Sequence, residues 1–289
     1  MSSLRLPEWF RRQLPRNSSQ KTWSTLEKFR LNTVCESALC PNKSDCYSHG
    51  TATFMILGNR CTRSCGFCAI EAAKPDPIED DEPERVALAA EAMGLRYVVI
   101  TSVARDDLRD EGAEHFYRCV KSVKEQIAGV EVEVLTPDFH AREDLIGRVC
   151  EAKPTVYNHN LETVARLQRQ VRPQAGYDRS LNVLSFVKRN FPKIMTKSGV
   201  MLGLGETEEE VLEAVGDLRE AGCEILTVGQ YLAPSTKHLP VVEFIPPEVF
   251  ESLADRIRQL GFSEVYAGPY VRSSYHAAET FLSVEERAR

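Results

Sequence analysis

The sequence predicts an α/β protein built around a partial (β/α)6 barrel. The chain has 289 residues, which suits a single barrel. From about residue 52 onward, short apolar β-rich runs alternate with helical patterns, and such a series forms a parallel sheet with helical crossovers. Six units are fewer than the eight of a closed TIM barrel, so we expect an open, TIM-like partial barrel. A doubly wound open sheet is the alternative.

The predicted strands and helices follow each other in a regular order. Pro83 lies near the start of one helix, and Gly94 and Gly222 stop helices. Strands are expected at 53–57, 96–101, 130–135, 155–158, 197–202 and 225–228, with a last strand near 264–267. Helices are expected at 84–93, 113–127, 143–151, 161–168, 178–190, 208–221 and 247–260.

The regions outside the barrel carry no βα unit. We therefore expect an N-terminal extension over 1–50, a barrel over 51–261 and a C-terminal tail over 262–289. A net charge of −6 argues against a nucleic-acid-binding surface. No apolar stretch is long enough to span a membrane, and the N-terminus lacks the apolar core of a secretory signal. Nine cysteines at crowded spacings suit metal-bound thiolates in a reducing cytosol, so we expect a cytoplasmic protein.

Polar side chains follow the predicted strands, where barrels of this type place their chemistry. The residues expected at these strand ends are Asn59 to Cys68, Ser102, Arg105, Asp106, Asp107, Thr136, Asp138, Asn158, His159, Asn160, Glu206 and Gln230. Arg105, Asp106 and Asp107 suit either a ligand-gripping site or a salt-bridge cluster. Glu206 suits a cofactor contact or a helix N-terminal carboxylate. His159 suits a hydrogen bond to a cofactor.

Six of the nine cysteines fall into two triplets. The first is Cys35-x4-Cys40-x5-Cys46, and the second is Cys61-x3-Cys65-x2-Cys68. Thiolate suits zinc and iron–sulfur clusters, and structural zinc usually takes four Cys or His ligands. Each triplet lacks a fourth ligand, which indicates two metal centres with an open position; a zinc site completed by a distant histidine is the alternative. The isolated cysteines are expected to be buried, inert thiols: Cys119, Cys150 and Cys223.

The second triplet, on a loop after the first barrel strand, resembles that of the radical S-adenosylmethionine superfamily. Phe67 matches the aromatic residue usual beside the last cysteine of that family. The resemblance implies a [4Fe–4S] cluster on Cys61, Cys65 and Cys68 whose fourth iron is chelated by S-adenosylmethionine. Reductive cleavage of this cofactor gives a 5′-deoxyadenosyl radical, which takes hydrogen from unactivated carbon.

The combination of both triplets resembles the lipoyl synthases, and the resemblance extends over nearly the whole chain. The shared motifs are Pro7-Glu-Trp-Phe-Arg-Arg12, Gly50-Thr-Ala-Thr-Phe54, Thr101-Ser-Val-Ala-Arg-Asp-Asp-Leu108, Asn158-His-Asn-Leu-Glu-Thr163, Met201-Leu-Gly-Leu-Gly-Glu-Thr207, Gln230-Tyr-Leu-Ala-Pro-Ser235 and Arg272-Ser-Ser-Tyr-His-Ala277. This resemblance implies a second, auxiliary [4Fe–4S] cluster on the first triplet, with Ser274 as its fourth ligand and Ser273 as the runner-up.

The resemblance also implies the reaction and its partners. The auxiliary cluster supplies sulfur for C6 and C8 of a protein-bound octanoyl-lysine, so each lipoyl group consumes two molecules of S-adenosylmethionine. The implied partners are octanoylated lipoyl carrier domains or a glycine cleavage H-type protein, an electron donor such as ferredoxin or flavodoxin, and iron–sulfur assembly proteins. The competing hypotheses are a radical enzyme for methylthiolation or electron relay, and a zinc-stabilised binding module.

Overall fold

The computed structural model describes residues 5–10, 19–275 and 277–279, and its main feature is a sheet of eight strands. Two short strands, β3 and β4, pair with each other outside this sheet. Numbered along the chain, the strands are β1 (Asn32–Thr33), β2 (Thr53–Ile56), β3 (Arg60–Cys61), β4 (Glu71–Ala72), β5 (Tyr97–Ser102), β6 (Glu131–Leu135), β7 (Val156–Asn158), β8 (Met195–Leu202), β9 (Ile225–Gln230) and β10 (Glu264–Gly268).

Helices connect the parallel strands and bury their apolar faces against the sheet. Their ends follow local sequence signals, as in the capping box at the start of α9, where Thr207 and Glu210 bond each other's backbone N–H. The helices are α1 (Ser19–Lys28), α2 (Val34–Ser37), α3 (Lys43–Ser48), α4 (Glu82–Ala92), α5 (Ala113–Gln126), α6 (Glu143–Glu151), α7 (Gln168–Val171), α8 (Tyr177–Asn190), α9 (Glu208–Glu220) and α10 (Pro247–Arg258).

The order of the strands distinguishes the two expected architectures. From β2 through β5, β6, β7, β8 and β9 to β10, the strands are parallel and lie side by side in chain order. A doubly wound sheet reverses its strand order at one point, and this sheet has no such reversal among the described strands. The short β1 pairs antiparallel with β2 and forms one edge, and β10 forms the other. The prediction of an open, partial barrel is confirmed.

One predicted helix is wrong. The segment 161–168 was expected to be helical, but the backbone of Glu162 forms a parallel β-bridge with Val200 of β8 and has a φ of 70°. This pairing prolongs the extended chain beyond β7, so helical structure is limited to a 3₁₀ turn at Ala165–Leu167 and the short α7. The other predicted strands and helices are present, with ends shifted by at most two residues.

The region before the barrel and the region after it contact each other. Asn42 Nδ2 donates to the Tyr270 carbonyl oxygen at 2.7 Å, and the Tyr275 hydroxyl donates to Asp45 Oδ2 at 2.9 Å. The ring of Phe10 packs edge-on against the ring of Tyr270, with 5.1 Å between centroids. The chain after β10 therefore returns to the segment that carries the first cysteine triplet. Arg11, Arg12 and His276 of the quoted motifs lie outside the described residues.

Candidate active site

A cavity of about 510 Å³ opens at the carboxyl ends of the barrel strands. Both cysteine triplets and the tail contribute to its wall, which is the convergence that the strand-end prediction requires. Of the residues that the sequence singles out, those in the wall are Cys35, Cys40, Cys46, Phe67, Cys68, Ser102, Thr136, His159, Asn160, Gln230, Arg272, Ser273 and Ser274.

The second triplet lies on the loop that follows β2. The sulfur of Cys61 accepts hydrogen bonds from the backbone N–H groups of Arg63 and Ala104, with distances of 3.4 and 3.3 Å. Burial raises the pKa of Cys65 to about 11 and that of Cys68 to about 12, and the neighbouring thiols of the triplet add to both shifts. Thiols with such pKa values become thiolates at neutral pH when a cationic metal centre compensates their charge.

A buried ion-pair network holds this loop. The guanidinium of Arg63 binds both oxygens of Asp106 and also Asp138 Oδ1, which lies 2.8 Å from Nη2. The side chain of Asp138 is fully buried, which by itself raises its pKa. The hydrogen bond and charge of Arg63, together with His159 and the backbone N–H of His140, outweigh this effect and hold the pKa of Asp138 well below the usual range. Arg105 pairs with Asp107. None of these five side chains lines the cavity, so they support the loop instead of binding a ligand.

The first triplet spans two short helices. Cys35 lies in α2, Cys40 follows that helix, and Cys46 lies in α3. Burial raises the pKa of Cys35 to about 11 and that of Cys46 to about 12, and neighbouring sulfurs of the triplet add to both shifts.

The spacing of the sulfur atoms bears on the kind of metal. Among the described residues, the only three His, Cys, Asp or Glu ligand atoms that all lie within 4.8 Å of one another belong to Asp106, Glu111 and His140. Neither cysteine triplet is that compact. A single zinc ion with Zn–S bonds of about 2.3 Å would bring its sulfurs to roughly 3.8 Å. In each triplet at least two sulfurs therefore lie further apart than one zinc ion would hold them.

The two tail serines differ in their contacts. The hydroxyl of Ser273 donates to Asn160 Oδ1 at 2.8 Å, whereas that of Ser274 makes no hydrogen bond to any residue that the structure describes. Both line the cavity. Ser274 therefore has the oxygen that is available to a ligand.

His159 is buried in the cavity wall with both ring nitrogens engaged. Nδ1 donates to the Thr136 carbonyl oxygen at 2.9 Å, which leaves Nε2 to accept from the Ser180 hydroxyl at 3.0 Å. Burial, followed by the charge of Arg172, lowers the pKa of His159 to about 4. The ring is therefore neutral at physiological pH, and its nitrogens are occupied by the protein.

Glu206 lies outside the described cavity wall. Its carboxylate accepts hydrogen bonds from the backbone N–H groups of Gly203 and Leu204, at 2.5 and 2.9 Å. These bonds fix the backbone of the loop after β8. Glu206 would therefore influence a cofactor through this loop, instead of by the direct contact that the sequence suggests.

Two charged residues in the wall were not singled out by the sequence analysis. Glu162 is held at a φ of 70° by backbone bonds to β8, and burial raises the pKa of its carboxyl. Arg172 donates to the carbonyl oxygens of Asn160 and Leu161 at 3.0 and 3.1 Å. Arg272, which belongs to a quoted sequence motif, is also a charged residue of the wall. Burial lowers its pKa, and the nearby Cys40 and Glu162 partly offset this shift.

The family model of the Radical SAM superfamily matches residues 55–229. That match covers more than half of the chain, and it agrees with a partial barrel whose cysteine loop follows the first strand. The fold and site thus define a radical S-adenosylmethionine enzyme. This class implies a [4Fe–4S] cluster and S-adenosylmethionine as cofactors.

Curated relatives narrow this class. A lipoyl synthase from Rhodopirellula baltica is 53% identical over 281 residues, which is 96% of this chain and 89% of that protein. One from Caldanaerobacter subterraneus subsp. tengcongensis is 52% identical over 95% of this chain and 96% of its own. The chain belongs to the lipoyl synthase family, and the expectation of a sulfurtransferase is confirmed.

Solved structures of lower identity show the same fold. Methylornithine synthase gives a TM-score of 0.57 at 17% identity, over 73% of this chain and 63% of that one. SuiB from Streptococcus suis, bound to S-adenosylmethionine, gives 0.58 at 14% identity, over 74% of this chain and 49% of that one. Within the described part of this chain, every helix is too short or too polar to cross a membrane.

Proposed function

We propose that this enzyme inserts two sulfur atoms, at C6 and C8, into an octanoyl chain attached to a lysine of a carrier protein, and so forms the lipoyl group. The observation that carries this proposal is that one cavity is lined by all three cysteines of the first triplet, by Cys68 of the second and by Ser274, whereas Cys61 and Cys65 lie outside its lining. A carbon radical and a sulfur source can therefore face the same acyl chain. The chain divides accordingly into an extension over 1–50, a barrel over 51–261 and a tail over 262–289.

The second triplet is assigned to the cluster that binds S-adenosylmethionine. Cys61, Cys65 and Cys68 offer three thiolates, and the cofactor completes the coordination. When bound, this pair supplies the 5′-deoxyadenosyl radical that takes hydrogen from carbon. The residues of this chain hold the loop, exclude water from the cavity and keep His159 neutral within its wall.

The first triplet is assigned to an auxiliary [4Fe–4S] cluster that supplies sulfur. Cys35, Cys40 and Cys46 hold it, and Ser274 is its fourth ligand because its hydroxyl makes no other bond within the described chain. A serine oxygen is a harder ligand than thiolate and binds iron–sulfur centres less well. This ligand is therefore the one suited to leave when the cluster gives up sulfur.

The carrier protein is an octanoylated lipoyl domain or a glycine cleavage H-type protein. The apolar part of the cavity wall, which includes Val34, Leu39, Leu135 and Met201, suits an acyl chain. Two cofactor molecules are consumed per product. A ferredoxin- or flavodoxin-type donor supplies the electrons, and iron–sulfur assembly proteins restore the consumed cluster in the cytoplasm.

The test uses reconstituted, reduced protein with S-adenosylmethionine and an octanoylated lysyl peptide. Formation of 5′-deoxyadenosine together with a mass gain of two sulfurs is expected. Cleavage of the cofactor without formation of sulfurated peptide would reject sulfur insertion as the reaction. It would remain consistent with membership of the radical S-adenosylmethionine superfamily.

Cysteine variants separate the two clusters. Cys61→Ala should abolish cofactor cleavage, whereas Cys40→Ala should keep cleavage and lose sulfur insertion. Cys150→Ala is the matched control, because its thiol is buried in the core away from the cavity, and it should retain both activities. Normal product from Cys40→Ala would contradict the sulfur-donor role of the first triplet.

A further inference from the structure

The segment 231–239, which follows β9, touches both the cavity and the loop of the second triplet. Residues 231–234 line the cavity. A few residues later, His238 Nε2 lies 3.0 Å from the carbonyl oxygen of Cys68. One short segment thus contacts the space for the acyl chain and a residue assigned to the cluster.

The hydrogen bonds of His238 fix its ring. A carbonyl oxygen can only accept, so Nε2 carries the proton that is donated to Cys68. Nδ1 is then bare and accepts from the Ser235 hydroxyl at 2.9 Å. The same hydroxyl oxygen accepts from the Lys237 backbone N–H at 3.2 Å. The bonds to Ser235 and Cys68 therefore fix the tautomer of His238 that donates to the Cys68 carbonyl oxygen.

A second contact holds the loop of the second triplet near Cys68. The backbone N–H of Leu239 donates to the Gly66 carbonyl oxygen at 3.0 Å. Gly66 has no side chain, and a Cβ there would meet the Leu239 side chain at 2.9 Å. The absence of a Cβ allows this close approach.

Tyr231 connects the cavity to the contact between Leu239 and Gly66. Its ring lines the cavity and is buried, and its hydroxyl donates to the Leu239 carbonyl oxygen at 2.7 Å. Leu239 is therefore held by the cavity wall through its carbonyl group and holds the cysteine loop through its N–H group. A molecule that presses on Tyr231 acts on Gly66 through two hydrogen bonds.

We propose that His238 is a positioning residue for the second triplet, and that the segment 231–239 couples occupation of the cavity to the geometry of the loop around Cys68. The coupling rests on the proposed function, because it takes the acyl chain as the occupant. The positioning role rests on the contacts of His238 and Leu239 alone. No hydrogen is moved by His238: it acts through the carbonyl group of Cys68.

The positioning role is tested by amide hydrogen exchange. In metal-free protein, His238→Ala should raise exchange across residues 62–69 by about fivefold, the effect of one lost hydrogen bond. His238→Gln keeps an N–H donor and should restore most of the protection. Lys237→Ala, one residue away, is the matched control and should match the wild type. Equal protection in His238→Ala and wild type would overturn this role.

The coupling is tested by binding to reconstituted, oxidised protein, which does not turn over. An octanoylated lysyl peptide should tighten S-adenosylmethionine binding about fivefold in the wild type. The factor should fall to about one in His238→Ala and in Tyr231→Phe, and stay near the wild-type value in Lys237→Ala. The coupling would be overturned if the peptide left the S-adenosylmethionine affinity of the wild type unchanged. It would also be overturned if the peptide raised this affinity equally in the wild type and in His238→Ala. If the wild type forms the lipoyl product, either result leaves the proposed function intact.

Discussion

Acid is expected to destabilise this protein through one buried imidazole. The ring of His159 is 1% exposed, and its pKa is lowered from 6.5 to about 4 by burial and by Arg172. In the unfolded chain this ring takes up a proton near pH 6.5, whereas the folded chain keeps it neutral down to about pH 4. The unfolded state binds more protons in this window, so the free energy of unfolding falls as the pH falls.

The two pKa values set the size of this effect. With 6.5 unfolded and about 4 folded, His159 should remove about 2.5 kcal/mol between about pH 7.5 and about pH 4.5. Glu162 works in the opposite direction, because burial raises the pKa of its carboxyl and the folded state binds its proton first. A comparison with His159→Asn cancels such other titrations. Asparagine keeps an N–H donor toward Thr136 and does not titrate.

Urea unfolding of the metal-free protein, followed by circular dichroism across this pH range, measures the effect. At high pH the wild type should be the more stable of the two, and its advantage over His159→Asn should shrink by about 2.5 kcal/mol at the acidic end. The exposed His49→Asn variant should follow the wild type. An advantage that stays constant with pH would refute the reasoning.

Three substitutions test other contacts. Asp138→Asn removes one of two carboxylates that neutralise Arg63, and should lower the free energy of unfolding by about 3–5 kcal/mol in urea titrations. Gly229→Ala places a methyl group against the carbonyl group of Val271; it should displace the tail, lower the melting temperature and reduce iron from about eight to about four per chain. Thr207→Ala breaks the capping box of α9 and should cost about 1 kcal/mol in urea titrations, with iron content unchanged.

Matched substitutions exist for the first two of these. Asp144→Asn removes an exposed carboxylate, with 65% of its side chain accessible, and should change stability little. A Cβ at Gly216 meets nothing within 4 Å, so Gly216→Ala should leave iron loading intact. Full iron loading in Gly229→Ala would contradict the assignment of Ser274 to the auxiliary cluster. An Asp138→Asn variant as stable as Asp144→Asn would contradict the predicted contribution of the buried Arg63–Asp138 pair to the free energy of unfolding.

The fold was largely predictable because its strands are buried on both sides. Runs such as β5 and β9 are mostly apolar and β-rich, and the helices between them carry their own start and stop signals. The segment after β7 was not predictable in this way. Its helical pattern is overridden by the pairing of Glu162 with Val200, a contact between residues far apart in the sequence.

The candidate site was predictable where residues close together in the sequence carry its chemistry. The two cysteine triplets are of this kind, whereas the tail serines were expected from the resemblance to the lipoyl synthases. The cavity brings members of all three groups together. The supporting residues were not. Arg172 and His238 stand in no motif that names their role, because their importance comes from carbonyl groups that only the folded chain places next to them.

The contact between Asn42 and Tyr270 has a consequence for synthesis on the ribosome. The two residues are separated by 228 positions. At about 5–20 residues per second, roughly 11 to 46 s therefore pass between synthesis of the first triplet and synthesis of the segment that contacts it. During this time its thiols are exposed to solvent without Ser274 or the tail. A prematurely terminated chain would keep all six cysteines of the two triplets and still lack the segment that contacts the first triplet's region. If the first triplet holds the proposed auxiliary cluster, delivery of that cluster is expected to succeed on chains that have been synthesised past Ser274, which makes synthesis of this segment a checkpoint for cluster loading.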